Sequence, residues 1–441
     1  MKKNKAKHLL TVLLTLMLIS VLVLALVACG NSAEQPATEA AGEITYVSKY
    51  HSGSGWPEIN KPLSWEEINK FPIKTSDMAI DDARQLCVDF FRYTKTAAWI
   101  ASDDFTYWHD WGKTREFTMY GSKLYGGVPY ISMASGSVYR LMDFMDEETG
   151  VLDIKGATSN PAFFGNQCSF GAWWGWGRVI NSADYNWTEN MFEGTGFLKV
   201  GDYEYGIPYV VGWSTGYGTD EVLAYNGPEK MYECYALLKA GDGIVYWTDA
   251  GHVVLVATDA VVVRDANGKI KPDESYITVI DQVQTWTYDT NDAGDNYERM
   301  NRIDGKLTFS GMYNEGKYIP FTYGEWNGTN PIEETETNIY TGGKIYSEDS
   351  ITISKLFSAT IESNYGLSDI YAFIYDSKGN EVCKIANHVE MGGDMKLKFA
   401  KGAAYVWGSY EDLDPAAGYT VKVVAQLATG ERPTVWEGKL A

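Results

Sequence analysis

The segment GNQCSFGAWWGWGRV, residues 165–179, restricts the fold because it combines a helical pattern with the glycines Gly171, Gly175 and Gly177. A glycine in a helix interior costs about 1 kcal/mol relative to alanine, so three of them need a structural reason. At helical spacing, Cys168, Gly171 and Gly175 fall on one stripe of small side chains. This stripe predicts that the helix backbone packs closely against another element and that Cys168 lies in the first helical turn. The helix dipole favours the thiolate form of a cysteine at that position.

The order of the predicted elements indicates an α+β fold class. Helical patterns come first, at residues 76–99, 137–145, around Cys168 and at 228–241. Apolar strand patterns follow, and their segments are GDGIVYWT, HVVLVATDAVVV, YITVIDQVQTWTY, GKLTFSGMY and KYIPFTYGEW. Turn residues between consecutive apolar runs predict an antiparallel meander, and helices followed by a sheet are typical of α+β proteins.

Composition shifts divide the chain into six predicted segments. They are a signal peptide (1–28), a flexible tether (29–43), an N-terminal helical and aromatic-rich segment (44–120), a central domain with the cysteine helix (121–326), a polar linker (327–338) and a C-terminal domain (339–441). The last segment contains evenly spaced short alternating runs. These runs predict a small all-β domain that is sandwich-like.

The N-terminus predicts the compartment of the protein. A basic MKKNKAKH segment precedes the apolar run LLTVLLTLMLISVLVLALVA, and the sequence LVAC ends it at Cys29. This arrangement resembles the lipobox of bacterial lipoproteins, whose cysteine is lipidated and becomes the new N-terminus. The resemblance implies an extracytoplasmic protein with a lipid anchor on Cys29 in the cell membrane. An uncleaved membrane helix is the alternative, because the apolar run is just long enough to span a bilayer.

Net charge and cysteine content exclude several classes of function. The formal net charge of −21 predicts repulsion from nucleic acids and from anionic lipid head groups. Besides Cys29, only four cysteines occur, too few for a disulfide scaffold, and no C-x-x-C pair indicates a structural zinc site. Cys87 and Cys234 fall within the apolar sets of predicted helices, so we expect them in the core. We expect neither a cofactor nor a metal.

His252 is the histidine best suited to act with Cys168, because it opens an apolar strand that a sheet edge would expose. Cysteine–histidine catalysis requires an imidazole within about 3 to 4 Å of the sulfur. A third group must orient the imidazole, and the neighbouring strand offers Asp281 and Gln282 on opposite faces. A carboxylate on an otherwise apolar face is costly to bury without a partner, which favours Asp281, with Gln282 as the alternative.

Three motifs in this order resemble the papain-like cell-wall hydrolases of the CHAP amidase and NlpC peptidase families. They are GNQCSFGAWWGWGRV, LLKAGDGIVYWTDAGHVVLVA and YITVIDQ. The resemblance implies that residues 121–326 form a papain-like domain, with helices packed on an antiparallel sheet. It further implies that Cys168 is the nucleophile, His252 the base and Asp281 the orienting residue. LYGGVPY looks like the NlpC-type GxPY element, which implies that Tyr130 lies beside the nucleophile.

These expectations describe a surface-anchored cysteine hydrolase that cleaves peptide or amide bonds of peptidoglycan. Tyr130 and Gln282 are expected to support the substrate or the oxyanion. The expected partner is a peptidoglycan stem peptide or glycan strand, and the expected oligomeric state is a monomer. Two alternatives stay open: a non-catalytic cell-wall-binding lipoprotein with the same fold, and a transpeptidase-like enzyme that transfers the acyl group to an amine.

Overall fold

A ten-stranded sheet is the largest structural element of the protein. The computed structural model describes residues 63–108, 116–132, 134–157, 165–180, 188, 191, 197–206, 218–248, 250–290, 296–327, 334–389, 393–401 and 404–441. The predicted signal peptide, the tether and Cys29 lie outside these residues. Among the described residues, 37% are in strands and 23% are in helices.

The described helices are short, apart from one of 17 residues. In chain order they are α1 (Trp65–Ile68), α2 (Ile80–Thr96), α3 (Val138–Met142), α4 (Ile154–Ala157), α5 (Cys168–Trp176), α6 (Thr219–Asn226), α7 (Pro228–Tyr235), α8 (Phe309–Asn314) and α9 (Ile353–Leu356), with 3₁₀ turns at Gly324–Asn327 and Pro415–Ala417. Helix α5 is buried on all sides, as expected for a helix that is apolar all round.

The described strands are mostly between two and nine residues long, and two are longer. In chain order they are β1 (Ala98–Ala101), β2 (Phe105–Trp108), β3 (Glu116–Met119), β4 (Leu124–Gly126), β5 (Met145–Asp146), β6 (Val151–Leu152), β7 (Phe197–Lys199), β8 (Gly243–Trp247), β9 (Gly251–Val256), β10 (Tyr276–Thr290), β11 (Asn296–Thr308), β12 (Ile319–Tyr323), β13 (Thr337–Thr341), β14 (Lys344–Ile345), β15 (Ser350–Ile351), β16 (Thr360–Ser363), β17 (Leu367–Tyr375), β18 (Glu381–His388), β19 (Lys396–Lys398), β20 (Tyr405–Gly408), β21 (Thr420–Leu427) and β22 (Thr434–Leu440).

The ten-stranded sheet has the order β5-β6-β1-β4-β11-β10-β9-β8-β12-β7. Strands β8 to β11 pair antiparallel in chain order, as expected for a meander. The segment KYIPFTYGEW, expected to continue the meander after GKLTFSGMY, forms β12 and pairs with β8 and β7 instead. Two parallel pairs, β1 with β6 and β4 with β11, extend the sheet beyond it. Strands β9 and β10 therefore lie in the interior of the sheet, where neighbouring strands and helices fix the directions of their side chains.

Helices α2 and α5 cover the central strands of this sheet. A large apolar core joins side chains of α2, α5 and strands β8 to β12. The three tryptophans of α5, Trp173, Trp174 and Trp176, are all buried in it. Cys87 and Cys234 are also buried there, so their expected positions in the core are confirmed.

Two further sheets form the C-terminal part of the chain. Their strand orders are β14-β13-β16-β19 and β15-β22-β21-β17-β18-β20. Apolar side chains of both sheets share one core, which includes Ile339, Ile361, Ile370, Ile385 and Val423. Strands β17 and β21 are buried over most of their length, whereas the short strand β16 alternates with the two-residue period of a β-strand.

The expected α+β fold class, with a papain-like domain of helices on an antiparallel sheet followed by a small sandwich, is wrong. Strands outweigh helices, and one sheet of ten strands dominates the fold. The physical reason is that β1, β4, β5 and β6 are only two to four residues long. Strands this short are not long enough to show a periodic pattern in the sequence. Some of their pairing partners, such as β11 for β4, also lie far away along the chain.

One predicted strand is partly a helix. The segment GKLTFSGMY continues β11 only as far as Thr308, and α8 begins at Phe309. The Thr308 hydroxyl accepts a hydrogen bond from the Gly311 N–H at 3.1 Å, which is the N-cap arrangement that starts a helix. The predicted boundaries between segments of the chain stay predictions.

Candidate active site

Helix α5 lies very close to helix α2 and to the sheet, as its glycines predict. A Cβ added at Gly175 would lie 2.9 Å from Phe91 Cβ and 3.2 Å from Leu255 Cδ1. A Cβ at Gly171 would lie 2.9 Å from Lys95 Nζ. Contacts this short leave no room for a methyl group, so glycine is what allows α5 to reach this depth. Cys168 is the first residue of α5 and is 8% exposed.

His252 and Asp281 are in direct contact on adjacent strands. His252 Nε2 lies 2.8 Å from Asp281 Oδ2. The Asp281 side chain is fully buried, whereas 17% of the His252 side chain is exposed. An ionised carboxylate only accepts hydrogen bonds, so Nε2 carries the proton and donates to Asp281. Nδ1 is then the ring nitrogen that is left to meet the Cys168 thiol.

The thiol of Cys168 interacts with His252, and this interaction changes the pKa of both groups. Burial raises the pKa of Cys168, but the His252 charge, the hydrogen bond with its ring and the N–H groups of Val253 and Ser169 together hold that pKa below its ordinary value. Burial lowers the pKa of His252, but Cys168 and Asp281 raise it above its ordinary value. These directions favour a thiolate paired with an imidazolium.

Arg302 is a second partner of Asp281, which sequence reasoning missed. Arg302 Nε donates to Asp281 Oδ1 at 3.1 Å, and Nη2 donates to Oδ2 at 2.8 Å. Burial alone raises the pKa of Asp281, but His252 and Arg302 hold it below the ordinary range. The two residues are cross-strand partners on β10 and β11, next to a register shift of the pair. Sequence alone does not indicate that register.

Tyr130 lies near Cys168, and its hydroxyl accepts a hydrogen bond from Gln284 Nε2 at 3.1 Å. Its side chain is buried, and burial together with the Cys168 charge raises the pKa of the phenol. The phenol is therefore protonated at neutral pH and is able to donate a hydrogen bond. Tyr246 also belongs to the site, because its ring centroid lies 6.1 Å from that of His252, its cross-strand partner.

Gln282 points to a different set of partners from Asp281. Its Nε2 donates to the carbonyl oxygen of Val128 at 2.9 Å, and its Oε1 accepts from Lys95 Nζ. The structure thus brings together Cys168, His252 and Asp281, with Tyr130 beside them, and it directs the Gln282 amide away from the imidazole. Their chemical roles stay predictions.

The remaining cysteines of the described residues provide a comparison for Cys168. Burial raises the pKa of the thiols of Cys87, Cys234 and Cys383, the last to about 11. No histidine lowers the pKa of any of these three thiols. Cys168 is thus the one described cysteine whose surroundings favour the thiolate.

One group of side chains elsewhere has the composition of a metal site. Donor atoms of Asp143, Asp369 and His388 lie within 4.8 Å of one another. Two cations already face Asp143, with Arg140 Nη1 at 3.3 Å and Lys384 Nζ at 3.4 Å. These positive charges oppose the binding of a further cation. The group is an ion-pair network between α3 and the C-terminal strands.

In comparisons with known proteins, no protein-family model and no curated protein matches this chain. In the part of the chain that the structure describes, no helix is both long and apolar enough to cross a membrane.

Proposed function

We propose that the protein is a cysteine hydrolase that cleaves peptide or amide bonds by a Cys168–His252–Asp281 mechanism. One set of contacts carries this proposal: Asp281 binds the ring of His252, and His252 holds the pKa of the Cys168 thiol below its ordinary value. A thiolate at the start of a buried helix, paired with an imidazolium, is a strong nucleophile for carbonyl carbon.

The proposed reaction has two halves. The Cys168 thiolate attacks the carbonyl carbon, the C–N bond breaks, and the imidazolium of His252 gives its proton to the leaving amine, which leaves a thioester on Cys168. His252 then takes a proton from water, whose oxygen attacks the thioester carbon. The carboxylic acid product departs and the thiolate–imidazolium pair is restored. Asp281 keeps the ring orientation and stabilises the imidazolium throughout.

The oxyanion that forms during both halves needs hydrogen-bond donors. The first N–H groups of α5, including that of Cys168, point out of the N-terminus of the helix, where the helix dipole favours negative charge. The protonated phenol of Tyr130 is a second proposed donor. Donors fixed in this way are worth several kcal/mol to acyl transfer, on the order of 10²-fold or more in rate.

Peptidoglycan is the proposed substrate. The leader and Cys29 would anchor the protein outside the cytoplasm, where stem peptides offer peptide and amide bonds. The motifs around Cys168, His252 and Asp281 resemble those of cell-wall amidases and peptidases. The strongly negative net charge also argues against nucleic acids as substrate.

Digestion of purified peptidoglycan, followed by mass spectrometry of the released fragments, tests the proposal. Cys168→Ala and His252→Ala should each abolish cleavage, and the double variant should be little worse, because the two residues act as a unit. Cys87→Ala is the matched control: it removes a buried thiol from the core and should keep cleavage while it lowers stability by about 1 kcal/mol.

Other outcomes would replace the proposal. Near-normal cleavage by Cys168→Ala would exclude Cys168 as nucleophile. Tight binding to peptidoglycan without cleavage, together with a Cys168 no more reactive than a model thiol, would indicate a cell-wall-binding protein. Products that incorporate an added amine would indicate acyl transfer to amines instead of hydrolysis.

A further inference from the structure

Lys95 is a buried lysine next to the proposed site. It lies in the last turn of α2, and its side chain is fully buried. Cys87, Phe91 and Lys95 are spaced four residues apart, so they share one face of the helix, and all three have 0% exposure. A buried ammonium is costly unless hydrogen bonds satisfy it, so a lysine on this face needs specific partners.

Two amide oxygens satisfy the Lys95 ammonium. Nζ donates to Asn166 Oδ1 at 3.1 Å and to Gln282 Oε1, and it lies 5.1 Å from the ring centroid of Phe91. Gly171 leaves the space for this arrangement, because a Cβ there would lie 2.9 Å from Nζ. Helix α5 therefore lies directly on the ammonium group.

Asn166 connects the ammonium to the segment that carries Tyr130. It makes three further hydrogen bonds: its Nδ2 donates to Gly136 O (2.9 Å), its N–H donates to Pro129 O (3.0 Å), and its carbonyl oxygen accepts from the Ile131 N–H (3.2 Å). Tyr130 lies within this segment, and Cys168 follows Asn166 by two residues. The position of Asn166 therefore affects both.

Gln282 connects the ammonium to the strand that carries Asp281. Its Oε1 accepts from Lys95, and its Nε2 donates to Val128 O at 2.9 Å. Because Asp281 and Gln282 are consecutive on β10, a movement of the backbone at Gln282 also moves Asp281. Asn166 and Gln282, the two amide partners of Lys95, thus both also bind the segment that carries Tyr130.

We propose that Lys95 is a positioning residue of the active site, whose ammonium ties together the segments that carry Cys168, Asp281 and Tyr130. Lys95 does not touch the reacting atoms and acts through Asn166 and Gln282. This inference rests on the proposed function. Displacement of a catalytic group by as little as about 1 Å costs on the order of 100-fold in rate. Loss of the hydrogen bonds from Lys95 to Asn166 and Gln282 should therefore lower turnover strongly.

The charge of Lys95 has a second effect. Two titratable groups act on the ammonium, Asp281 on β10 and Cys168 on α5. The charged residue on β11 is Arg299, which donates a hydrogen bond to Asn301. The Asn301 amide in turn donates to the carbonyl oxygen of Lys95 at 2.7 Å. Burial lowers the pKa of Lys95 to about 7, while Asp281 and Cys168 oppose this change. The group is therefore a cation below about pH 7 and favours the Cys168 thiolate there.

The test is the pH dependence of Cys168 alkylation by iodoacetamide, measured with kcat and KM in the full-length protein. Lys95→Met should move the alkylation profile of Cys168 to higher pH and lower kcat by on the order of 10-fold or more, with little change in KM. Gln282→Glu places a carboxylate against the ammonium and is nearly isosteric. It should move the profile in the same direction, and it tests the inference if Lys95→Met does not fold.

Lys74→Met is the matched control. Lys74 is also largely buried, and its Nζ donates to Val179 O, beyond the C-terminal end of α5. Its loss should lower stability and leave the Cys168 profile unchanged. An unchanged profile and kcat in folded Lys95→Met, or in Gln282→Glu, would mean that Lys95 is a structural lysine only. The alkylation readout does not need turnover, so this failure is distinct from failure of the proposed function, which Cys168→Ala tests.

Discussion

Asp281 is the residue on which the proposed site depends most, because it binds two cations at once. Its carboxylate accepts hydrogen bonds from His252 Nε2 at 2.8 Å, from Arg302 Nη2 at 2.8 Å and from Arg302 Nε at 3.1 Å. The side chain has no exposed surface, so water does not replace a lost partner. A change at this position should therefore alter the charge state of His252 and, through it, that of Cys168.

Asp281→Asn should reduce kcat by about 10-fold or more and shift the alkylation profile of Cys168 to higher pH. The reason is that the neutral amide no longer stabilises the imidazolium that accompanies the thiolate. Asp242→Asn is the control, since Asp242 is a buried carboxylate that accepts from Arg84 at 2.9 Å, away from the site. It should reduce stability without a shift of the profile. A shift in the control alone would contradict the assignment of Asp281.

The sequence was sufficient to name Cys168, His252 and Asp281 because each occupies a position with a local pattern: the start of a helix, the start of a strand and one face of a strand. Arg302 was missed because its pairing with Asp281 depends on a register shift between β10 and β11. Lys95 was also missed, although a lysine spaced four residues from Phe91 on an apolar helix face was a visible signal.

At the scale of elements, the depth at which α5 packs is set by Gly171 and Gly175. Alanine at Gly175 would normally stabilise a helix by about 1 kcal/mol. Here its Cβ would lie 2.9 Å from Phe91 Cβ, an atom attached to the backbone of α2 that has no rotamer to escape into. The steric cost, about 1 to 3 kcal/mol for overpacking of a core, exceeds the gain in propensity.

Gly175→Ala should therefore lower the free energy of unfolding, measured by urea denaturation. Because the strain separates α5 from α2, thermal unfolding should occur at a lower temperature too, by a few degrees per kcal/mol. Equal or greater stability in this variant would contradict the close approach of the two helices.

Elements differ in how well sequence predicts them. Strands β8, β9 and β10 were visible because each contains an apolar run bounded by turn residues, whereas only the C-terminal end of β11, in the segment GKLTFSGMY, was predicted. The strands β1 and β4 were not, because they have four and three residues and complete the sheet by pairing with distant segments. The fold class was wrong for this reason: the meander was recognised, but the extension of the same sheet by short strands was not.

At the scale of the whole molecule, the C-terminal sheets are joined to the helices of the central region by buried polar groups. Ser137 Oγ lies 2.9 Å from Ser368 Oγ, and the hydroxyl of Tyr371 donates to Asp143 at 3.2 Å. His388 Nδ1 binds Asp369 at the same junction, with 3% of the histidine exposed. A titratable group in such a place couples the stability of the molecule to pH.

Burial lowers the pKa of His388, and Asp369 only partly opposes this effect. In the unfolded chain a histidine titrates near pH 6.5, so between about pH 6.5 and the lower folded pKa the unfolded state binds a proton that the folded state does not. Stability should therefore fall as the pH falls through this window. The effect of His252 on stability has the opposite sign, because folding raises its pKa. Its contribution to the free energy of unfolding is therefore present at low pH and is lost only as the pH rises. Urea denaturation at about pH 7 and pH 5 measures the slope, and the double variant Asp369→Asn with His388→Gln should flatten it. A slope equal to that of the wild type would mean that folding does not lower the pKa of His388, which would contradict this prediction.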